Sequence, residues 1–264
     1  MQRHLLLVLS LVLLSPLAWA ADHFQQMDFT VDGVPRTARV YVPDSARSNN
    51  TPLVFVFHGH GGNARQVAWE FAIERYWPEA IVVYMQGLPT RGQLTDPQGT
   101  QPGWQAAVGD YGDRDLKFFD TVLGRLKHDY LVNTNRIYST GHSNGGGFTY
   151  LLWLARGDVF AAVAPSAAAA TYAYQLKPKP ALIMGGEDDP LVKPAWQKTT
   201  MAVVRKVNGC ADAGEVWESK GTLYPSTKGT PLVTFTYPGG HQFNPASPAL
   251  IVKFFKQHSG HAEK

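Results

Sequence analysis

A serine between two glycines is the feature of this sequence with the most chemical content. Residues 141–145 read Gly-His-Ser-Asn-Gly, between a predicted strand and a predicted helix. A sharp strand-to-helix turn of this kind strains the serine and brings its glycine neighbours too close to other backbone for a Cβ. The helix N-terminus behind the serine also favours developing negative charge. The five-residue pattern alone occurs by chance, but this setting predicts Ser143 as a nucleophile.

A glycine-rich segment upstream could stabilise the oxyanion that attack by a serine creates. Residues 58–62 read His-Gly-His-Gly-Gly and directly follow the apolar run 53–57. Because glycines let the backbone approach a substrate closely, we expect the N–H groups of His60 and Asn144 to be the oxyanion donors. The alternatives are an ordinary glycine-rich turn and a metal site on His58 and His60. No matching carboxylate or histidine cluster lies nearby in the sequence, which disfavours a metal.

The general base has to come from the histidines that follow the serine, because acid and then histidine is the chain order of this arrangement. His258 and His261 lie in a polar C-terminal segment and are expected to be solvated. His241 follows two glycines, just after a predicted strand at 233–237. Elimination and context together predict His241 as the base.

Three adjacent carboxylates compete for the role of the acid. Residues 187–189, Glu-Asp-Asp, follow the predicted strand 181–185. Chain order does not distinguish among them. The Gly-x-x-Asp-x-x-Val spacing of residues 186–192, a pattern of the enzyme superfamily with this serine turn, selects Asp189. Asp189 would hold the tautomer of His241 and stabilise its protonated form, and the other two carboxylates would be solvated turn residues.

Strands and helices alternate along the chain, and the elements that must position these side chains follow that alternation. The runs 53–57 and 81–85 are apolar throughout, as expected of strands buried on both faces. Further strands are predicted at 29–31, 37–42, 137–140, 160–165, 181–185 and 233–237, and helices at 64–75, 115–130, 143–155, 196–207 and 249–257. Alternation predicts an α/β fold whose mostly parallel central sheet carries helices on both faces.

The long segment 87–109 is rich in Gly, Pro, Gln and Thr and is predicted to be a loop. Within it, Trp104 either lines an acyl or aryl pocket or anchors the loop by packing. Asp113 and Asp115 are expected to begin the following helix, where carboxylates suit the helix dipole.

The N-terminus has the layout of a secretory signal peptide over residues 1–20. Arg3 supplies a positive charge, residues 5–14 form an apolar run, and Ala-Trp-Ala at 18–20 offers a cleavage site. The run is too short to cross the ~30 Å of a bilayer comfortably, which favours a cleaved signal over an uncleaved anchor. Residues 21–264 are then predicted to be a single catalytic domain, secreted or periplasmic and without membrane insertion.

Composition excludes some classes of partner. The formal net charge is +3 and is spread without a basic cluster, so neither nucleic acid nor an anionic membrane surface is indicated. Cys210 is the single cysteine, which excludes an intramolecular disulfide. It is predicted to be an inert, small apolar residue or the remaining half of a lost disulfide.

With these residues assembled, the chain resembles the esterase/polyhydroxybutyrate depolymerase family, which includes feruloyl and acetylxylan esterases. The matching segments cover most of the chain after residue 20: 58–63, 103–105, 113–119, 136–146, 160–165, 189–192, 208–210 and 239–241. The resemblance implies the α/β-hydrolase fold, Ser143, Asp189 and His241 as a catalytic triad, and a secreted or periplasmic carboxylic-ester hydrolase.

Two departures from the family narrow the expected substrate. In many relatives the cysteine after Asn-Gly is paired, whereas Cys210 has no partner. Many polymer-degrading relatives also carry a linker and a binding domain, which are missing here. These departures favour small or soluble esters, such as hydroxycinnamoyl esters or short hydroxyalkanoate oligomers, over crystalline polymer.

The sequence therefore predicts a serine esterase that works through an acyl-enzyme and requires no metal or cofactor. A serine peptidase or lactonase could use the same triad, since the fold does not specify the leaving group. A periplasmic binding protein that has lost activity is the alternative from another class. The complete set of nucleophile, base, acid and oxyanion loop argues against that alternative.

Overall fold

Ten strands form one sheet in the computed structural model, which describes residues 24–218 and 220–260. The described residues contain twelve strands, of which the two-residue β5 and β6 pair with each other outside this sheet. They are β1 (Phe24–Val31), β2 (Val34–Tyr41), β3 (Thr51–Phe57), β4 (Ile81–Met85), β5 (Leu88–Pro89), β6 (Pro102–Gly103), β7 (Val132–His142), β8 (Ala162–Ser166), β9 (Ala181–Gly186), β10 (Glu215–Trp217), β11 (Gly221–Tyr224) and β12 (Leu232–Tyr237). The predicted signal peptide lies outside the described residues.

The order of strands across the large sheet is β1-β2-β4-β3-β7-β8-β9-β12-β11-β10. Every neighbouring pair from β4 to β12 is parallel, whereas β1 and β2 at one edge and β11 and β10 at the other are antiparallel. The predicted mostly parallel sheet is confirmed. The carboxyl ends of β3, β7, β9 and β12 lie at one edge, where loops from parallel strands converge.

Helices cover both faces of the sheet. They are α1 (Ala64–Phe71), α2 (Ile73–Tyr76), α3 (Arg114–Asp129), α4 (Asn144–Arg156), α5 (Pro194–Val207) and α6 (Ser247–Lys256). Side chains alternate along β3, so that Phe55 and Phe57 join the core with α3, α4 and α5, whereas Val54 and Val56 join the core with α1, α2 and α6. All residues of β3 and β4 are buried, as predicted for strands covered on both faces.

Several boundaries differ from the sequence predictions, for local reasons. The helix predicted at 64–75 breaks at Ala72, which has φ 41° and ψ 44° and ends α1. Tyr84 Oη accepts the N–H of Ile73, so the chain restarts as α2 against β4. The predicted loop 87–109 contains the short β5–β6 pair. The β10–β11 hairpin was not predicted, because strands of three and four residues are too short to show an alternating pattern.

No helix within residues 24–218 and 220–260 is both long and apolar enough to cross a membrane.

Candidate active site

Ser143 occupies the turn between β7 and α4 alone, because β7 ends at His142 and α4 begins at Asn144. Its backbone has φ 56° and ψ −121°, a conformation that L-residues rarely adopt. Two hydrogen bonds hold it there: the N–H of Ser143 donates to the carbonyl of Ser166 at 2.9 Å, and its own carbonyl accepts the N–H of Gly147 at 2.9 Å. The strained turn predicted from the sequence is present.

Close backbone contacts explain the glycines on both sides of the serine. A Cβ on Gly141 would lie 2.4 Å from the carbonyl oxygen of Gly145, and one on Gly145 would lie 2.2 Å from the carbonyl oxygen of Phe57. Both distances are far below van der Waals contact. A Cβ on Gly147 would meet nothing within 4 Å, so that glycine is not required by packing.

The structure brings together the three residues predicted to form a triad. His241 Nε2 lies 2.7 Å from Ser143 Oγ, and His241 Nδ1 lies 2.8 Å from Asp189 Oδ2. The three residues follow β7, β12 and β9, whose carboxyl ends share one edge of the sheet. The side chain of Asp189 has no exposed surface, whereas that of His241 is 20% exposed. A substrate can therefore approach the histidine but not the acid.

Asp189 is the carboxylate that the fold orients toward the histidine. Its Oδ1 accepts the N–H groups of Leu191 and Val192, each at 2.9 Å, and its Oδ2 lies 3.3 Å from Gln197 Nε2. The two preceding carboxylates are exposed to solvent. These hydrogen bonds hold the Asp189 carboxylate in place for His241.

The predicted oxyanion donors lie beside the nucleophile. A Cβ on Gly59 would lie 3.5 Å from Ser143 Cβ, so the glycine-rich segment packs directly against the serine. Asn144 begins α4, where a backbone N–H has no intrahelical acceptor. In the part of the chain that the structure describes, the N–H groups of His60 and Asn144 make no hydrogen bond, and both are available to a substrate oxygen.

The Trp104 side chain anchors the long loop. It is 1% exposed, stacks on Phe148 with ring centroids 5.2 Å apart, and meets Phe57 edge to face. Its indole N–H donates to the carbonyl of His58 at 2.9 Å. Because the ring is buried and its polar atom is bound, the structure favours the anchoring alternative over a pocket wall.

His58 and His60 have separate partners. His58 donates from Nδ1 to the carbonyl of Gly59 at 2.7 Å and accepts the N–H of Gly87 at Nε2, at 2.9 Å. Burial lowers the pKa of His58 to about 4, so it is neutral near pH 7. His60 Nε2 lies 3.1 Å from Asp96 Oδ2 in the long loop. The first histidine stabilises the start of the loop, and the second ties the loop to the glycine-rich segment.

Asp115 lies in the first turn of α3, as predicted, and it also has partners that the sequence did not indicate. It is fully buried and its Oδ1 lies 2.7 Å from the guanidinium of Arg36 on β2. Its Oδ2 accepts the backbone N–H of Gln105 at 2.9 Å, next to Trp104. This carboxylate therefore joins α3 to β2 through a buried ion pair, in addition to its position at the start of the helix.

Sequence reasoning did not single out His142 or Gln197, nor the side chain of Asn144. His142 Nε2 lies 2.7 Å from the carbonyl oxygen of His241, and Gln197 Nε2 bonds Asp189. His142 and Asn144 occupy the two unspecified positions of the Gly-x-Ser-x-Gly pattern, and Gln197 lies within a helix. No local signal could have identified these contacts.

Comparisons with known proteins add the chemical class. No family model matches the chain. A probable feruloyl esterase C of Aspergillus flavus is 28% identical over 232 residues, covering 81% of this chain and 81% of that protein. A thermostable esterase structure is 20% identical with a TM-score of 0.63, covering 91% of this chain and 64% of the other. The acetyl xylan esterase from Aspergillus awamori is 13% identical with a TM-score of 0.63, covering 88% and 99%.

The site and these comparisons define the protein as a carboxylic-ester hydrolase with the α/β-hydrolase fold. Within that class, the chain is similar to proteins named feruloyl esterases, and this similarity confirms the resemblance found in the sequence.

Proposed function

We propose that the protein is an exported serine esterase that cleaves small or soluble esters through an acyl-enzyme. The observation that carries this proposal is the hydrogen-bonded series from Asp189 through His241 to Ser143, with a strained serine at its end. The N–H groups of His60 and Asn144 lie on the glycine-rich segment and at the helix start, which pack beside the serine.

Acylation follows from this geometry. His241 Nε2 takes the proton from Ser143 Oγ as the oxygen attacks the ester carbonyl carbon. The carbonyl oxygen becomes negatively charged and accepts hydrogen bonds from the N–H groups of His60 and Asn144. The imidazolium, stabilised by Asp189, then gives its proton to the alcohol oxygen, and the C–O bond of the ester breaks.

Deacylation repeats the sequence with water as the nucleophile. The departing alcohol leaves the acyl group on Ser143 and a neutral His241 beside it. His241 deprotonates a water molecule, whose oxygen attacks the acyl carbon, and the same two N–H groups hold the second oxyanion. Return of the proton from His241 to Ser143 Oγ releases the acid.

The relatives support an aromatic acyl group as the first substrate to test. A protein named probable feruloyl esterase C matches 81% of this chain at 28% identity. A second protein, named feruloyl esterase D, matches 53% of this chain at 28% identity. We therefore propose hydroxycinnamoyl esters, with short hydroxyalkanoate oligomers as the second class of soluble ester. Export is proposed from residues 1–20, and an N-terminus beginning at Ala21 in the exported protein would test it.

A fluorophosphonate probe and a panel of esters test the proposal together. The wild type should hydrolyse methyl ferulate or short aryl esters and should form a covalent adduct that peptide mapping places on Ser143. Ser143→Ala should lose both activities and keep its far-UV circular dichroism spectrum. Ser259→Ala, at an exposed serine, is the matched control and should behave as wild type.

The proposal is wrong if Ser143→Ala retains ester hydrolysis, or if the wild type forms no adduct. Acetylated xylan, hydroxybutyrate oligomers and a matched amide substrate complete the panel. Faster cleavage of the amide than of the ester would indicate a peptidase with the same triad.

A further inference from the structure

His142, at the unspecified position before the nucleophile, contacts the loop that carries the base. Its Nε2 lies 2.7 Å from the carbonyl oxygen of His241. Because a carbonyl only accepts, Nε2 must carry the proton and donate. The ring of His142 also meets the ring of Phe243 edge to face, with centroids 5.6 Å apart. One side chain therefore holds the loop at two points, by a polar contact and an apolar one.

The remaining nitrogen of His142 is compatible with a neutral ring. With the proton on Nε2, Nδ1 is an acceptor, and the hydroxyl of Ser166 lies 3.3 Å from it. Burial, and then the neighbouring His241, lower the pKa of His142 to about 4. A neutral ring matters because the two imidazole centroids are only 5.1 Å apart. A second cation at that distance would oppose the imidazolium that His241 forms during acylation.

The loop that carries the base needs such support. Gly239, with φ 130°, and Gly240 precede His241, and glycines restrict the backbone least. Further along, the carbonyl of Gln242 accepts the hydroxyl of Tyr237 at 2.9 Å. The contact from His142 holds the carbonyl of the base residue itself.

We propose that His142 is a positioning residue that fixes His241 against Ser143. His142 and Ser143 are adjacent in the chain, and each contacts His241, one at the backbone carbonyl and the other at Nε2. The strained turn and the base loop are thereby held to each other by two hydrogen bonds. This role rests on the proposed function, since it concerns the geometry of the same triad. The ring nitrogens of His142 lie against the His241 carbonyl oxygen and the Ser166 hydroxyl, and not against Ser143 Oγ or the His241 ring nitrogens.

Loss of the contact should slow the chemical step without weakening substrate binding. If the His241 loop relaxes, the Ser143 Oγ to His241 Nε2 distance is no longer held at 2.7 Å. Misplacement of a catalytic group by about 1 Å costs roughly 100-fold in rate. The effect should therefore fall on kcat and on the rate of reaction with a fluorophosphonate, and not on KM.

Two amide variants separate the hydrogen bond from packing. In His142→Gln the amide nitrogen can occupy the place of Nε2 and donate to the His241 carbonyl. In His142→Asn it corresponds to Nδ1 and is too short to reach. We expect His142→Asn to lower kcat and the labelling rate by about 10- to 100-fold with KM within about threefold, and His142→Gln to restore most of the loss. His142→Leu, which has no donor, should match His142→Asn and replaces it if that variant does not fold.

The outcomes distinguish this inference from the proposed function. A wild type that reacts with the probe, together with Asn and Leu variants that react equally fast, overturns the role of His142 and leaves the esterase proposal standing. Equal losses in folded Gln and Asn variants also overturn it, because the donor at the Nε2 position would then be irrelevant. A rise in KM at unchanged kcat overturns it by indicating a substrate contact. A wild type that does not react overturns the proposed function, and this inference with it.

Discussion

The side-chain amide of Asn144 hydrogen-bonds to both the backbone N–H and the backbone carbonyl of Trp104. Its Oδ1 accepts the N–H of Trp104 at 2.7 Å, and its Nδ2 donates to the carbonyl of the same residue at 3.2 Å. The neighbouring Gly103 approaches so closely that a Cβ there would lie 2.6 Å from His60 Nδ1. The long loop is thus tied to both residues whose backbone N–H groups are proposed to hold the oxyanion.

Asn144→Ala tests the role of these two hydrogen bonds, because it keeps the backbone N–H of residue 144 and removes only the side-chain contacts. Two lost hydrogen bonds should lower the free energy of unfolding by about 1–3 kcal/mol and kcat/KM by roughly tenfold. Urea unfolding, ester kinetics and limited proteolysis of the long loop 87–109 measure these effects. Asn133→Ala removes one local hydrogen bond at the far end of β7 and should leave kcat/KM unchanged. Unaltered kinetics in Asn144→Ala would show that the hydrogen bonds from Asn144 to Trp104 do not support catalysis.

Asp189→Asn should reduce kcat by about 10⁴-fold, because the amide no longer holds the His241 tautomer that accepts the serine proton. The fold should survive, since an amide oxygen can still accept the N–H groups of Leu191 and Val192. Asp188→Asn is the matched control at an exposed carboxylate and should remain within about twofold of wild type. A larger loss in Asp188→Asn than in Asp189→Asn would mean that the acid is misassigned.

Gly145→Ala and Gly147→Ala differ by two positions on one helix and should have opposite effects. A methyl group on Gly145 would lie 2.2 Å from the carbonyl oxygen of Phe57, so the turn cannot form around it. Gly147→Ala meets open space within α4 and should stabilise the protein by up to about 1 kcal/mol, with activity kept. Urea unfolding and ester kinetics on both variants provide the measurement. Full activity in Gly145→Ala would refute the close-contact explanation of the motif.

Asp115→Asn should be strongly destabilising, because it leaves Arg36 buried without its counter-charge. Breaking a buried pair from one side costs about 3–5 kcal/mol. Asp32→Asn removes an exposed ion pair with Lys117, which lies on α3 like Asp115. This change should lower the free energy of unfolding by less than about 1 kcal/mol. Asparagine tolerates the positive φ of Asp32, so the comparison isolates the ion pair. Equal losses of unfolding free energy in Asp115→Asn and Asp32→Asn, measured by urea unfolding, would contradict the larger contribution of the buried pair.

The stability of the protein should fall as the pH is lowered from 6.5 to about 4. Burial lowers the pKa of His58 from 6.5 to about 4. Over that window the unfolded chain binds a proton that the folded state does not, so the free energy of unfolding decreases with falling pH. The contribution of one histidine approaches about 1.4 kcal/mol per pH unit at most. The folded state resists protonation because Nε2 of His58 already accepts the N–H of Gly87.

Urea unfolding at pH 7, 6 and 5 measures this slope in the wild type and in His58→Gln. The variant has no titrating group at this position, so its slope should be smaller whatever its stability at pH 7. Identical slopes in the two proteins would show that His58 does not contribute.

Central strands and the proposed catalytic side chains could be predicted because their signals are local. The runs 53–57 and 81–85 are apolar throughout, and both are strands buried on two faces. The break at Ala72 and the β10–β11 hairpin could not be predicted, because a single left-handed residue and strands of three or four residues leave no periodic pattern.

The amino-acid sequence by itself determined which groups could do chemistry. Ser143 lies between glycines, the candidate carboxylates follow a later strand, and His241 follows the next one. This order of serine, acid and histidine is the one found in α/β-hydrolases. Only the tertiary structure decided how those groups are held. Arg36 and Asp115 are 79 positions apart, and His142 and His241 are 99 apart. Contacts across such separations depend on the order of strands in the sheet and on the paths of the loops. Short-range sequence patterns carry no information about either.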